Sequence, residues 1–317
     1  METIKSNDRR KFIINSGLTA ASLLLPLPFV NSATLPFSKN KDFKGVNVGV
    51  ITYSFRSMPG TAEDLIGYLK KLGLNHVELM GDPVEEFAGA PTRPPWKRGE
   101  QTDEEKAVFK KYGEEIKKWR TAVSMDKFKQ LKKMFNGEGI NIDIVKLPID
   151  RMSPEEIDYS FKVAKVLGAR GITVERKDDT IENLSPYADK FKNRIGYHNH
   201  AEVNFNSWDE ALKRSPYNAL NLDIGHYVAG TNESPIPLIE KYHDKILNLH
   251  MKDRKLNNGD NVLWGEGDTP IKEVLQLMRD KKYKFMATIE QEYPIPEGSD
   301  AVKEVGKCVD FCRDALA

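Results

Sequence analysis

The chain has 317 residues, 39% of them hydrophobic and 30% charged, and its 48 Lys plus Arg nearly cancel its 47 Asp plus Glu to leave a formal charge of +1. That composition excludes a disordered or membrane-embedded chain, and the balanced charge disfavours nucleic acid as the main partner. Two cysteines cannot make a disulfide framework, and the length allows either two domains or one large one.

Residues 1–33 run from a basic patch through an apolar stretch with Pro26 and Pro28 to small residues, the layout of a bacterial export signal. Arg9-Arg10-Lys11-Phe12-Ile13 resembles the twin-arginine signal, with Asp8 where that signal usually has Ser or Thr. Cleavage after Ser32 would leave 317 − 32 = 285 residues in an exported, periplasmic protein. The two prolines interrupt an apolar run already short of the roughly 20 residues that span a bilayer, so no stable membrane association is expected after cleavage.

From residue 46 onward short β-branched or apolar runs alternate with helical, Lys/Glu-rich stretches. Strands are predicted at Val46–Thr52, His76–Gly81, Ile140–Leu147, Gly171–Glu175, Arg194–His200, Ala219–Gly225, Ile246–Lys252 and Phe285–Glu292. Between and after them, helices are predicted at Thr61–Leu72, Met125–Asn136, Ser153–Leu167, Leu184–Phe191, Trp208–Arg214, Pro235–Tyr242, Ile271–Lys281 and Asp300–Leu316. Gly73 and Gly168 are placed to stop the first and third of these. Eight βα units in a chain of this size argue for a closed (β/α)8 TIM barrel over residues 45–317 as a single domain.

The third predicted strand starts 140 − 76 = 64 residues after the second, about twice the usual βα spacing here. The excess, residues 87–124, holds Pro91, Pro94, Pro95, Trp96 and a charged helical segment through Trp119. Loops after barrel strands build the active-site face, so this insertion is expected to cover the pocket, with Trp96 reaching substrate; a surface decoration or a homo-oligomer contact is the alternative. The charged stretch Lys110–Glu115 reads as a solvated face. Cys308 and Cys312 read as two small apolar residues on one helix face, since no other cysteine could complete a thiolate site.

Toward the carboxyl ends of the later strands, polar residues recur at one parity. His198 and His200 share a face, as do Asn221 and Asp223; Asn248, His250 and Lys252; and Thr288, Glu290 and Glu292; the fourth strand adds Thr173 and Glu175. A buried unpaired carboxylate costs several kcal/mol, so carboxylates converging with imidazoles call for a cation. A salt-bridge network with Lys252, Lys146 and Arg176 would answer that need, and so would one divalent metal, for which oxygen and imidazole donors suit Mn²⁺, Mg²⁺, Zn²⁺ or Co²⁺.

The segments Gly-Ile-Thr-Val-Glu175, Gly-Tyr-His198-Asn-His200, Asn-Leu-Asp223-Ile-Gly-His226, Asn-Leu-His250-Met-Lys252-Asp253 and Thr-Ile-Glu290-Gln-Glu292-Tyr resemble the sugar phosphate isomerase/epimerase family, whose fold is the xylose isomerase-like barrel. The resemblance runs from about Gly45 to the end of the chain. It implies one divalent metal held by two Glu, one Asp and one His. Asp223, His250 and Glu290 match three of those positions. In the ketose epimerases the remaining Glu lies on the strand before the Asp strand, where this chain has His198; Glu175, one strand earlier, is the preferred replacement, with His198 or His200 as competitors. By the same resemblance His226 and Lys252 would bind substrate.

Such a site suits proton transfer next to a carbonyl: a metal-dependent isomerase or epimerase acting on a keto sugar through an enediolate, with Glu290 and Glu175 as base and acid. His226, Lys252 and Lys146 would position hydroxyls, and His200, Tyr53, Glu78 and Glu292 complete the expected substrate-binding set. Glu78 has pairing with Arg56 as its alternative, and the loop Leu263–Gly267 could close over the site. Elimination from the same enediolate would make the chain a lyase or dehydratase acting on 3-keto sugars or keto-inositols, and export favours free sugars over phosphorylated ones. An apurinic-site endonuclease family shares the barrel, but its trinuclear zinc site needs histidines after strands two and three that these six do not supply. A non-catalytic sugar-binding protein would have little use for in-phase carboxylates.

Overall fold

Capping and termination set the local elements. Thr61 and Asp64 form a capping box ahead of α1 (Ala62–Leu72), which buries Leu65, Ile66, Leu69 and Leu72 and ends at Gly73 in the left-handed region, φ 69°. Ser153 and Glu156 do the same ahead of α5 (Pro154–Leu167), with Pro154 in the first turn and Gly168 at φ 82° closing it. Both glycines therefore stop helices where expected.

The structure, a computed structural model, describes residues 43–95 and 99–317. The expected leader over residues 1–32 and Trp96 lie outside the described residues. All eight predicted strands form, at β1 (Asn47–Ile51), β2 (His76–Met80), β3 (Asn141–Lys146), β4 (Gly171–Glu175), β5 (Arg194–His198), β6 (Asn218–Asp223), β7 (Ile246–Met251) and β8 (Met286–Ile289). Each pairs in parallel with the next, and β8 returns to β1 through Asn47↔Met286 to Val50↔Ile289, closing a (β/α)8 barrel. Around it lie α2 (Gly81–Phe87), α3 (Asp103–Ala122), α4 (Asp126–Gly137), α6 (Asp178–Phe191), α7 (Asp209–Arg214), α8 (Ile224–Thr231), α9 (Ile236–Tyr242), α10 (Ile271–Lys281) and α11 (Ala301–Leu316). Short helices α2 and α8 follow β2 and β6 directly and were not expected from the sequence. The helix expected from Leu184 begins at Asp178 and runs through Pro186.

Two register shifts place an extra residue in β3, opposite Val77/Glu78, and in β7, opposite Leu220/Asn221. Such bulges re-aim side chains. Leu247, the extra residue of β7, joins Ile144, Ala219 and Met286 in an apolar cluster separate from the main core. Three strand glycines make room for it: a Cβ would lie 2.8 Å from Met286 Sδ at Gly49, and 2.7 and 3.0 Å from Leu247 Cδ2 at Gly171 and Gly196. This plug fills the barrel beneath the polar residues. Cys308 and Cys312 are free and buried on α11, as the apolar reading has it. Among the described residues no helix is long and apolar enough to cross a membrane.

The insertion after β2 is built on α3, whose inner stripe is Phe109, Tyr112, Ile116 and Arg120. Arg120 anchors it: its guanidinium donates to both oxygens of Glu85 on α2, at 2.7 and 2.8 Å, and to Glu156 on α5 at 3.1 Å. Tyr159 donates to the same Glu85 at 3.1 Å, and Trp119 packs edge-on against Phe128 and Tyr159. All three charged side chains of this network are at most 10% exposed. Removing a buried cation from two carboxylates typically costs about 3–5 kcal/mol. Arg120→Met is expected to lower the unfolding free energy in urea by about that amount, with the far-ultraviolet circular dichroism of the folded state retained.

Candidate functional site

The site rises from a polar layer inside the barrel. Thr288 donates to Asn248 Oδ1 at 2.6 Å, Asn248 donates to Glu78 Oε2 at 2.8 Å, and Thr173 donates to Glu78 Oε1 at 2.5 Å. His250 Nε2 completes the set, 2.7 Å from Glu78 Oε2. Glu78 is fully buried. It therefore neither reaches a substrate hydroxyl nor pairs with Arg56, which donates instead to the carbonyls of Tyr53 and Gln291. Its role is to orient His250: with Nε2 held from below, Nδ1 faces upward, 3.0 Å from Glu290 Oε2. Burial opposes protonation of His250, but the charges of Glu290 and Glu78 outweigh it and raise the imidazole pKa to about 10.

Asp223 is fixed by its chain position. It is the N-cap of α8, so Oδ1 accepts the His226 backbone N–H at 2.7 Å. The Asp-x-x-His spacing is thus a helix cap that leaves Oδ2 facing the barrel axis. Asn199 clamps the same turn, accepting from the Asp223 N–H at 2.9 Å and donating to its carbonyl at 3.1 Å. The strand expected to continue to Gly225 ends at Asp223 because the helix begins there; likewise β5, β7 and β8 stop at His198, Met251 and Ile289, leaving His200, Lys252, Glu290 and Glu292 just beyond their strands.

His198, Asp223, His250 and Glu290 come together, with one ligand atom of each within 4.8 Å of the others and all four side chains buried. The preferred fourth position, Glu175, is not in this group. It lies with His198 and His200 in a second one, its oxygens 2.8 Å from Lys146 Nζ and 3.0 Å from His200 Nε2. Glu175 and His198 are paired neighbours on β4 and β5, and the His198 ring is the one that turns into the centre, 4.7 Å from that of His250. Burial raises the Glu175 carboxyl, yet the His200 bond and the Lys146 ammonium prevail and hold it far below the usual range.

Lys252 sits in the same centre. Its buried Nζ is 3.0 Å from Asp223 Oδ2, 2.8 Å from Glu290 Oε2, 2.5 Å from Glu292 Oε2 and 3.2 Å from His226 Nε2. Burial works against its charge, but the carboxylates of Asp223, Glu290 and Glu292 keep it protonated far above the usual range. Glu290, despite its burial, is held ionised by Lys252 and His250, whereas burial raises the Asp223 carboxyl. Burial, followed by the nearby Lys252, His200 and Arg254, lowers His226 to about 3, so it is neutral. Burial, with the charges of His250 and Lys146, also keeps His198 neutral.

The donor set suits a divalent cation. Two carboxylates and two imidazoles are the oxygen and nitrogen ligands such ions take, and His198 Nδ1 is buried without a hydrogen-bond partner. Above them opens a cavity of about 480 Å³ whose wall carries Tyr53, Lys146, Glu175, His200, His226 and Glu292. Every expected site residue among those described lines this cavity, except Glu78, Asp223 and His250, which lie buried beneath it. The loop Leu263–Gly267 does not: Gly265 and Gly267 donate backbone N–H groups to Asp253 Oδ2 at 2.8 and 3.0 Å, and Trp264 packs on Phe311 of α11. A Cβ at Gly267 would run into the Asp253 carboxylate. The two remaining histidines are occupied elsewhere, His76 with Asp143 and His243 stacked on Tyr283.

The family model described as the xylose isomerase-like TIM barrel matches residues 66–313. The chain belongs to that family. Solved structures similar to it include a sugar phosphate isomerase/epimerase from Parabacteroides distasonis, 17% identical over 83% of this chain and 96% of that one, with a TM-score of 0.54. A putative uncharacterised protein from the same organism is 24% identical over 84% and 98%, at 0.55. The probable 3-DHS dehydratase of petrobactin synthesis from Bacillus anthracis is 12% identical over 84% and 99%, at 0.59. At these identities the likeness is one of fold. No curated protein matches the chain.

Lys252 pairs with three carboxylates, Asp223, Glu290 and Glu292. In chelator-treated protein, Lys252→Met is expected to lower the unfolding free energy by about 3–5 kcal/mol, read from urea titrations, and excess Mn²⁺ is expected to restore part of the loss.

Proposed function

We propose that this barrel is a divalent-metal-dependent enzyme that isomerises or epimerises a keto sugar through an enediolate. The observation that carries the reading is the convergence of His198, Asp223, His250 and Glu290 beneath a polar cavity. These four residues would hold the cation, which would supply positive charge beside the two oxygens of an α-hydroxy ketone. The chain supplies the rest. Glu175 ends β4 and Glu290 follows β8, on opposite sides of the barrel, and both are held ionised, one by His200 and Lys146 and the other by Lys252 and His250. Glu290 removes the proton from carbon and, as the acid it has then become, returns it to the neighbouring carbon; return to the opposite face runs through Glu175, which relays a proton taken from His200 at 3.0 Å. Neutral His226 and the ammonium groups of Lys146 and Lys252 position hydroxyls.

A second reading, elimination from the same enediolate, is favoured by His200. It stands half-exposed at the mouth, hydrogen-bonded to Glu175, where it can protonate a departing oxygen. Product mass separates the two: isomerisation leaves it unchanged, and elimination does not.

The central test combines metal analysis of the purified protein with proton exchange. In deuterated buffer with a divalent metal, keto sugars are expected to gain deuterium at carbon, and Glu290→Gln is expected to slow that gain about 10²–10⁴-fold. Undiminished exchange in the variant, or a protein that binds no divalent cation, would overturn the reading. Export belongs to the same proposal, because a periplasmic enzyme meets free and glycosidic sugars. The protein recovered from the periplasm is expected to begin at Ala33, by mass spectrometry of the intact chain.

A further inference from the structure

A second cavity, of about 380 Å³, adjoins the first under α3. The two share Met80, Lys146 and Glu175 as a common wall. Each alone falls within the roughly 300–1,000 Å³ range of small-molecule sites, and the first already contains the complete acid–base constellation. The second touches it only through Glu175 and Lys146 of the shared wall. What it offers is recognition chemistry: Phe109 and Tyr112 from the inner stripe of α3, and the acid–base pairs Asp82/Arg93, 3.5 Å apart, and Asp150/Arg151, 3.6 Å apart.

Its charge decides the class of occupant. Arg120 is taken up by Glu85 and Glu156. The remaining lining carries Asp82, Asp150 and Glu175 against Arg93, Arg151 and Lys146, which cancel. A phosphate or carboxylate would meet as many anions as cations there. A ring of hydroxyls, each able to donate to a carboxylate and accept from a guanidinium, matches both halves of each pair, and the apolar face of such a ring packs on an aromatic side chain.

We propose that the substrate has two rings: a keto sugar over the His/Asp/Glu cluster and a neutral glycosyl unit, O-linked to it, in the cavity under α3. The inference rests on the keto-sugar reading above and narrows it to glycosides and disaccharides. The insertion then acts as the specificity element of the barrel, held rigid by the Arg120 network, and remote binding of the second ring favours two-ring substrates over free keto sugars.

Equilibrium binding tests this separately from turnover. The probes are 3-keto-lactose, whose keto ring carries an O-linked glucose, 3-keto-glucose and fructose 6-phosphate, titrated calorimetrically into the Mn²⁺-loaded protein while turnover is followed in parallel. The disaccharide is expected to bind at least about 10-fold more tightly than either monosaccharide. Tyr112→Ala should weaken disaccharide binding at least about 10-fold more than 3-keto-glucose binding. Arg93→Ala, at a side chain 56% exposed and so harmless to folding, should show the same selective loss. Equal affinities for 3-keto-lactose and 3-keto-glucose, equal losses of the two in both variants, or tightest binding of the phosphate would overturn the inference. Failure to turn over either ketone would count against the keto-sugar reading, while the binding ratios would still decide the two-ring inference.

Discussion

Buried negative charge at the open end of the barrel is the constraint on which the site depends. Glu78, Asp223 and Glu290 are all at most 5% exposed, and each must meet a cation or hydrogen-bond donors. The fold answers with a vertical stack: Glu78 below, His250 between Glu78 and Glu290, and Lys252 among Asp223, Glu290 and Glu292. Loss of any member leaves a partner uncompensated in a medium that screens poorly. The same stack brings ligand atoms of His198, Asp223, His250 and Glu290 within 4.8 Å of one another, so the arrangement that neutralises the carboxylates also gathers donor atoms at a common centre. Carboxylates behind ligating histidines orient the ring in this way in metal sites generally.

That stack needs a firm base, and the bulge in β7 supplies it. By letting Leu247 and Asn248 occupy one step of the ladder, the chain puts an apolar plug below and an amide above. Asn248 then bridges Thr288 to Glu78. The glycines of β1, β4 and β5 keep the plug from colliding with backbone. Packing at the closed end and polarity at the open end are therefore two consequences of one irregular register.

Much of this was legible from periodicity. Eight strands, the glycine stops at Gly73 and Gly168, and the in-phase polar residues of the later strands follow from local rules of alternation and capping, and the structure shows each of them. Asn199 and Glu78 were harder to assign. Asn199 bonds to the backbone of the next strand, and Glu78 acts across the barrel on His250, 172 residues away in the chain. Tyr112 was hidden among lysines and glutamates, yet its spacing from Phe109 and Ile116 marks a helix face, and that face turns out to line a cavity rather than water. The Leu263–Gly267 loop was misleading for the opposite reason. Its glycines suggest mobility, but Gly267 is required by the close approach of Asp253 and Gly265 by its positive φ of 92°.

By itself the sequence determined the barrel, the position of the insertion and the identity of the polar residues at the strand ends, because these depend on patterns within a few residues of one another. Only the tertiary structure decided which of those polar groups meet. Whether His198 or Glu175 joins Asp223, His250 and Glu290 depends on side-chain direction at paired positions of neighbouring strands, and the second cavity depends on where Arg120 pins α3 against α2 and α5. Such contacts join residues far apart in the chain through barrel closure and helix packing, which local patterns do not encode.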